Sequence, residues 1–172
     1  MSSGHSIDLA LLVLRLGVGG VMLAHGYNHV FGGGKIAGTA RWFGSMGMRP
    51  PLVHAWLASL TELGAGALLV FGLLMPFGGA GVVGVMSVAF IINHRKNGFF
   101  IFRPGEGYEY VMTLLITGVV LGTVGGGRWS LDHAFKLDHH LVGMPGLLIA
   151  ALAGGGGGLL LIATSWRPEK KA

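Results

Sequence analysis

Residues 53–75 read VHAWLASLTELGAGALLVFGLLM, and one acid in the middle of that apolar run, Glu62, decides how the chain is understood. The run is as long as a bilayer core requires of a helix, about 20 residues at 1.5 Å rise. An ionised side chain in hydrocarbon costs at least roughly 2.5–3.5 kcal/mol, so a membrane helix keeps one only where a partner or a task compensates. A second apolar run, residues 8–30, carries Arg15 in the same way. The two charges predict a membrane interior with a task. They also predict an ion pair between Arg15 and Glu62, with Asp8, two turns away on the same helix, as the competing anion.

Composition extends this reading to the whole chain. Of 172 residues, 52% are hydrophobic and 11% charged, and the mean hydropathy is +0.67. Apolar runs near 8–30, 53–75, 77–95, 107–125 and 143–166 predict five crossing helices in one all-α membrane domain covering 1–172. The net charge of +5 comes from basic residues in short loops beside these runs, where positive charge sets topology rather than binding nucleic acid. With no cysteine, the chain supplies no disulfide, iron–sulfur ligand or thiol redox pair. The opening segment has no basic n-region and its apolar run exceeds an h-region, so a retained span is expected rather than a cleaved signal.

The connections carry their own signals. Residues 31–51 mix Lys35, Arg41, Trp42, Phe43, Met46 and Arg49, which predicts a short amphipathic helix in the interface, ended by Pro50 and Pro51. The short Leu74–Phe77 link, with Pro76, predicts an antiparallel hairpin of spans two and three. Five glycines, Gly154 to Gly158, weaken the last span but admit a close backbone. That span is expected to lean on a partner, as in a homo-oligomer; a loosely ordered tail anchor is the alternative. With alternating helices, Lys35, Arg41, Arg49, Arg95, Lys96, Arg103, Arg167, Lys170 and Lys171 share one side, against Arg128 and Lys136 on the other. The expectation is an outside N-terminus and a cytoplasmic C-terminus.

Polar residues collect on the basic side. His25, Asn28 and His29 end the first span, His54 begins the second, Asn93 and His94 end the third, and Glu106 and Glu109 begin the fourth. Glu62, eight residues beyond His54 and so roughly 12 Å deeper, becomes the floor of a vestibule. His25 and His29, four apart, share one helix face. Such groups can serve as interfacial hydrogen-bond donors and nothing more, ligate a metal with nearby carboxylates, or bracket a haem. A quinone suits them better, because a flat ring arriving from lipid needs hydrogen bonds at two carbonyls and titratable neighbours that exchange protons. On the opposite side, His133, His139 and His140 with Asp132 and Asp138 form either a solvated loop or a cation or pH sensor. Tyr108, Tyr110, Trp129 and Trp166 read as interfacial anchors.

Leu14-Arg15-Leu16-Gly17-Val18-Gly19, His25-Gly26, Glu62-Leu63-Gly64-Ala65-Gly66, Phe71-Gly72-Leu73-Leu74, Tyr108-Glu109 and Gly127-Arg128-Trp129-Ser130-Leu131-Asp132 together resemble the DoxX family over about residues 8–135. The resemblance implies a four-helix membrane bundle, to which this chain adds a fifth, glycine-rich span at about 143–166. It also implies quinone-linked redox complexes as the working context, with Arg15, His25, Glu62, Glu109 and the Arg128/Asp132 pair at the family's polar positions. His29, His54, Asn93 and His94 join the site on geometry alone. The combined expectation is a membrane subunit that docks peripheral oxidoreductases and offers a quinone or proton-handling pocket. Glu62, His25 and Glu109 would act in catalysis, and Arg15, His25, His29, Asn93 and His94 would hold the quinone. Haem ranks far behind and no metal is assigned. A small-solute carrier or channel and a non-catalytic scaffold are the competing functions.

Overall fold

The computed structural model describes residues 3–168. Among the described residues there is no β-strand, only one isolated antiparallel bridge between Met48 and Trp166. Helix α1 (Ser3–Phe31) is followed by α2 (Lys35–Ser45), α3 (Pro51–Phe71) and α4 (Met75–Ala89), which continues as a π-helical turn over Phe90–His94. After a loop come α5 (Glu109–Val124), two single turns α6 (Leu131–Ala134) and α7 (Asp138–Leu141), and a last span. That span is built from α8 (Met144–Leu148), a π segment over Ile149–Gly155, and α9 (Gly156–Ser165).

Gly4–Phe31, Pro51–Phe71, Met75–His94 and Met144–Ser165 are each long and apolar enough to cross a membrane. The expected span at 107–125 is shorter: α5 has 16 residues, roughly 24 Å. Its N-terminal turn is lost because Gly105 and Glu106 take positive φ, folding residues 97–108 back as a loop. That loop exposes Phe99, Phe100 and Phe102 between Arg95, Lys96 and Arg103, the composition of an interfacial anchor.

Local chemistry sets the element ends. Pro51 starts α3 within its first turn, where a missing N–H costs nothing. Gly72 ends α3 at φ 64°, and the pair Gly72 N–H to Leu69 O (3.1 Å) and Leu73 N–H to Leu68 O (2.9 Å) closes a Schellman cap. Two residues later α4 begins. Asp132 reaches across from α6 to accept from Leu74 N–H (2.7 Å) and Met75 N–H (2.9 Å), a buried carboxylate at a helix N-terminus. The tight α3–α4 hairpin expected from Leu74 to Phe77 is therefore present and is locked from outside.

Packing places α4 at the centre, against α3, α5 and the last span, while α1 lies along α3. Met22, Leu69, Met75, Val82 and Leu121 are fully buried where these helices meet. Close approach uses glycine: a Cβ at Gly66 would stand 2.8 Å from Gly19 O, and one at Gly158 would stand 3.0 Å from Gly84 O. The second contact revises the reading of the glycine run. Gly154 and Gly158 face α4 of the same chain, so the last span is docked intramolecularly and not a loose anchor, and the close approach expected of an oligomer partner is supplied from within. The basic residues Lys170 and Lys171 lie outside the described residues.

Candidate functional site

The basic-side ends of the helices enclose a cavity of about 510 Å³. His25 and His29 reach it from α1, His54, Thr61 and Glu62 from α3, Asn93 and His94 from the π turn, Glu106 from the loop and Tyr110 from α5. The expected convergence of His25, His29, His54, Asn93, His94 and Glu62 is thus present. Alternating helix directions bring these ends to one level. The remaining wall is apolar, with Trp42 and Phe43 of α2 and Met46 just after it above, and small residues of α4 and the last span beside it.

Glu62 lies on the cavity floor and is only 3% exposed. Its Oε2 stands 3.0 Å from His29 Nδ1, yet the approach is out of line for a hydrogen bond, so the two atoms are in contact without a well-formed donor–acceptor pair. The contact can exist as imidazolium with carboxylate or as neutral imidazole with carboxylic acid. His54, also buried, has Nε2 3.0 Å from the carbonyl of Arg49, which can only accept. The proton therefore sits on Nε2, and in the neutral ring Nδ1 is an acceptor that is buried without a partner. Buried polar atoms without partners are uncommon in a finished core; three of the four here, on His29, His54 and Glu62, belong to cavity-lining residues, and the fourth is Arg15 Nε. Tyr110, with its ring 6.5 Å from that of His25, adds a hydroxyl near Glu62.

Two π-helical segments frame this space, one carrying Asn93 and His94 and the other carrying Ala153 and Gly154. Such insertions re-aim side chains by one residue and recur at functional sites. The roof is tied down by long-range bonds: Trp166 Nε1–H to Met46 O (2.8 Å), Arg49 N–H to Ser165 O (2.9 Å) and Arg167 N–H to Gly47 O (2.8 Å). α2 is thus more than an interfacial helix, because with the following loop it spans from α3 to the end of the last span.

Three expectations are corrected. Arg15 does not pair with Glu62 and does not line the cavity. Its guanidinium donates to Leu69 O, Val70 O and Trp129 O, taking up carbonyls at the end of α3. In antiparallel helices each Cβ tilts toward its own N-terminus, so Arg15 leans toward the end of α3 while Glu62 leans toward the end of α1. The carbonyls that Arg15 binds lie seven and eight residues beyond Glu62, roughly 10–12 Å along the axis. Asp8, the competing anion, is engaged by Arg128 instead, through Arg128 Nε (2.6 Å) and Arg128 N–H (2.9 Å).

The second correction follows from the first. Arg128 and Asp132 do not form a pair with each other; one holds Asp8 and the other caps α4. These polar positions fasten the end of the bundle remote from the cavity. Third, Glu109 turns away from the site, and its Oε1 accepts from Ile101 N–H at 2.8 Å to pin the 97–108 loop. The buried face of α5 runs through Val111, Leu114 and Gly118, and Tyr110 stands at the edge of that face, 37% exposed and lining the cavity. Its place beside that face was the available signal for Tyr110. On the opposite side, His133 Nδ1 meets Asp138 Oδ2 at 2.7 Å, while Asp132 is buried elsewhere. Among the described residues no group of three or more His, Asp or Glu is placed to hold a metal ion.

A family model matches residues 10–95, half of the chain, and the family it describes is DoxX. The chain belongs to the DoxX family. The matched stretch contains Arg15, His25, His29, His54, Glu62, Asn93 and His94, so most of the cavity is carried on family-matched sequence. Glu109, Arg128, Asp132 and the glycine-rich last span fall outside it. No curated protein and no solved structure matches the chain.

Proposed function

We propose that this DoxX protein is an integral membrane subunit of a redox complex, and that its cavity binds the headgroup of a quinone and exchanges protons with it. The observation that carries the reading is the cavity of about 510 Å³ that His25, His29, His54, Glu62 and Tyr110 line together, with the buried His29–Glu62 contact in its wall. The volume suits a ring of quinone size; His25 and the Tyr110 hydroxyl can donate to its carbonyls, and His54 Nδ1, an acceptor, can take a hydrogen bond from a hydroxyl of the reduced form. A quinone supplies two-electron redox chemistry with uptake of two protons, and a peripheral oxidoreductase partner supplies the electrons.

The chain's own residues have separable tasks in this reading. His25 and the Tyr110 hydroxyl donate hydrogen bonds toward a bound carbonyl. Glu62 holds or yields a proton, and His29, at 3.0 Å and less buried, passes it toward the basic side. The roof of Trp42, Phe43 and Met46 limits water. In this reading the basic side is the cytoplasmic one, which the charge bias of its loops supports, and there Arg95, Lys96 and Arg103 would meet peripheral partners.

The small-solute carrier is less well supported. Met22, Leu69, Met75, Val82 and Leu121 belong to one buried apolar core cluster of the bundle, which favours a closed pocket over a conduit. Purification of the full chain in mild detergent followed by organic extraction tests the choice. Quinone recovered from wild type and lost from Glu62→Gln supports the proposal, while a quinone-free wild type that conducts a small solute in liposomes overturns it.

A further inference from the structure

The cavity has a side opening. Its walls continue outward from Glu62 along Leu57, Ala58 and Thr61 on α3, and along Ala153, Gly157 and Leu161 on the last span. The two helices both pack on α4 but hardly touch each other, so α4 forms the bed of a crevice between them, with Gly81 and Gly84 along its surface. Leu57, Ala153 and Gly157 are exposed, and a Cβ built at Gly157 would meet nothing within 4 Å. At the headgroup level the crevice is bridged by the α2–α3 link, whose bonds to Trp166, Ser165 and Arg167 join α3 to the end of the last span. The opening therefore faces the hydrocarbon of the bilayer and is roofed toward water.

We infer that the crevice between α3 and the last span is a lateral portal for a membrane-dissolved amphiphile, and that it seats the isoprenoid chain of a quinone whose ring lies at His25 and Glu62. The inference rests on the quinone reading of the cavity and adds where the ligand comes from and which part of the chain selects it. Glycine and alanine at five of the eight named wall and bed positions leave a slot suited to a slender apolar chain. A larger side chain there would fill the slot without disturbing the polar floor. The portal wall on the last span lies outside the stretch matched by the family, so its selectivity belongs to this chain's added helix. The exposed apolar walls need no polar partner, which suits a ligand chain that offers only dispersion contacts.

Gly157→Leu tests this, with Gly156→Leu as its control. Both sites have open space for a Cβ, both gain helix propensity, and only Gly157 lines the cavity. The full chain in nanodiscs is titrated with ubiquinone carrying one isoprene unit and with a long-chain ubiquinone, and binding is read as quenching of tryptophan fluorescence, Trp42 being in the cavity wall. The expected result is a loss of at least about tenfold in affinity for the long-chain probe in Gly157→Leu, with the short-chain probe changed by less than about threefold and Gly156→Leu like wild type. Equal loss for both probes, equal loss in both variants, or no loss in Gly157→Leu overturns the portal while leaving the headgroup site intact. Failure of both probes to bind wild type overturns the headgroup site and the portal together.

Discussion

Replacing Arg15 by Leu should cost more stability than any substitution at Glu62, although both residues are buried charges on neighbouring helices. The Arg15 guanidinium reaches three backbone carbonyls on two segments, the end of α3 and the turn before α6. Hydrogen bonds involving a charged group contribute about 1.5–3 kcal/mol each. The Leu69 contact is long, at 3.3 Å, and adds little, leaving two strong bonds. Leucine recovers part of the loss by apolar burial, and the unfolded chain in a membrane also finds polar partners. The net expectation is about 3–5 kcal/mol for Arg15→Leu. Arg15→Lys should lose about half as much, because an ammonium cannot bridge two segments with a planar fork. Glu62→Gln keeps the shape and leaves His29 an amide partner, so it should lie within about 1 kcal/mol of wild type. The assay is unfolding of the full chain in mixed micelles titrated with dodecyl sulfate, followed by circular dichroism. An Arg15→Leu protein that unfolds at the wild-type detergent fraction, or a Glu62→Gln protein that is equally weakened, would refute the division into a structural and a functional charge.

Two further outcomes are expected. Gly154→Leu would press a side chain onto Ala80 O, 2.5 Å from the added Cβ, so the last span should detach from α4 and become accessible to protease, whereas Gly156→Leu should not change the digestion pattern. In the loop before the last span, the hydrogen bond from His133 holds the Asp138 carboxyl below the usual carboxylate range. A lowered folded value means that the contribution is present above the unfolded value of about 4 and fades as pH falls through the lowered one. Asp138→Asn should therefore give faster amide exchange over residues 133–141 than wild type near neutral pH, with the gap closing in acid and narrowing at high salt.

Much of the layout was legible because helix direction and length are. Once residues 8–30, 53–75 and 77–95 are taken as alternating spans, His25, His29, His54, Asn93 and His94 must share a level, and eight residues of rise put Glu62 beneath them. The α3–α4 hairpin followed from Pro76 in a link too short for any other path. The Arg15–Glu62 pairing failed for a reason that sequence spacing hides: axial position describes Cα atoms, and the two side chains lean in opposite directions from there. Glu109 and Tyr110 differ by one residue, and which of them borders the cavity depends on how the edge of the Val111, Leu114 and Gly118 face meets the neighbouring helices. The π turns at Phe90–His94 and Ile149–Gly155 leave no mark in apolar periodicity, and the roof depends on Trp166 meeting Met46 across 120 residues. Arg128 and Asp132 were noticed as polar positions, but their partners, Asp8 and the start of α4, come from packing.

The most direct test of proton handling at Glu62 is a redox-induced infrared difference spectrum of the full chain with ubiquinone bound. A change in the carboxylic-acid carbonyl stretch that disappears in Glu62→Gln, and shifts in His29→Gln, is the expected result. A spectrum in which bound quinone is reduced with no carboxyl signal, or with one that survives in Glu62→Gln, would contradict the central claim.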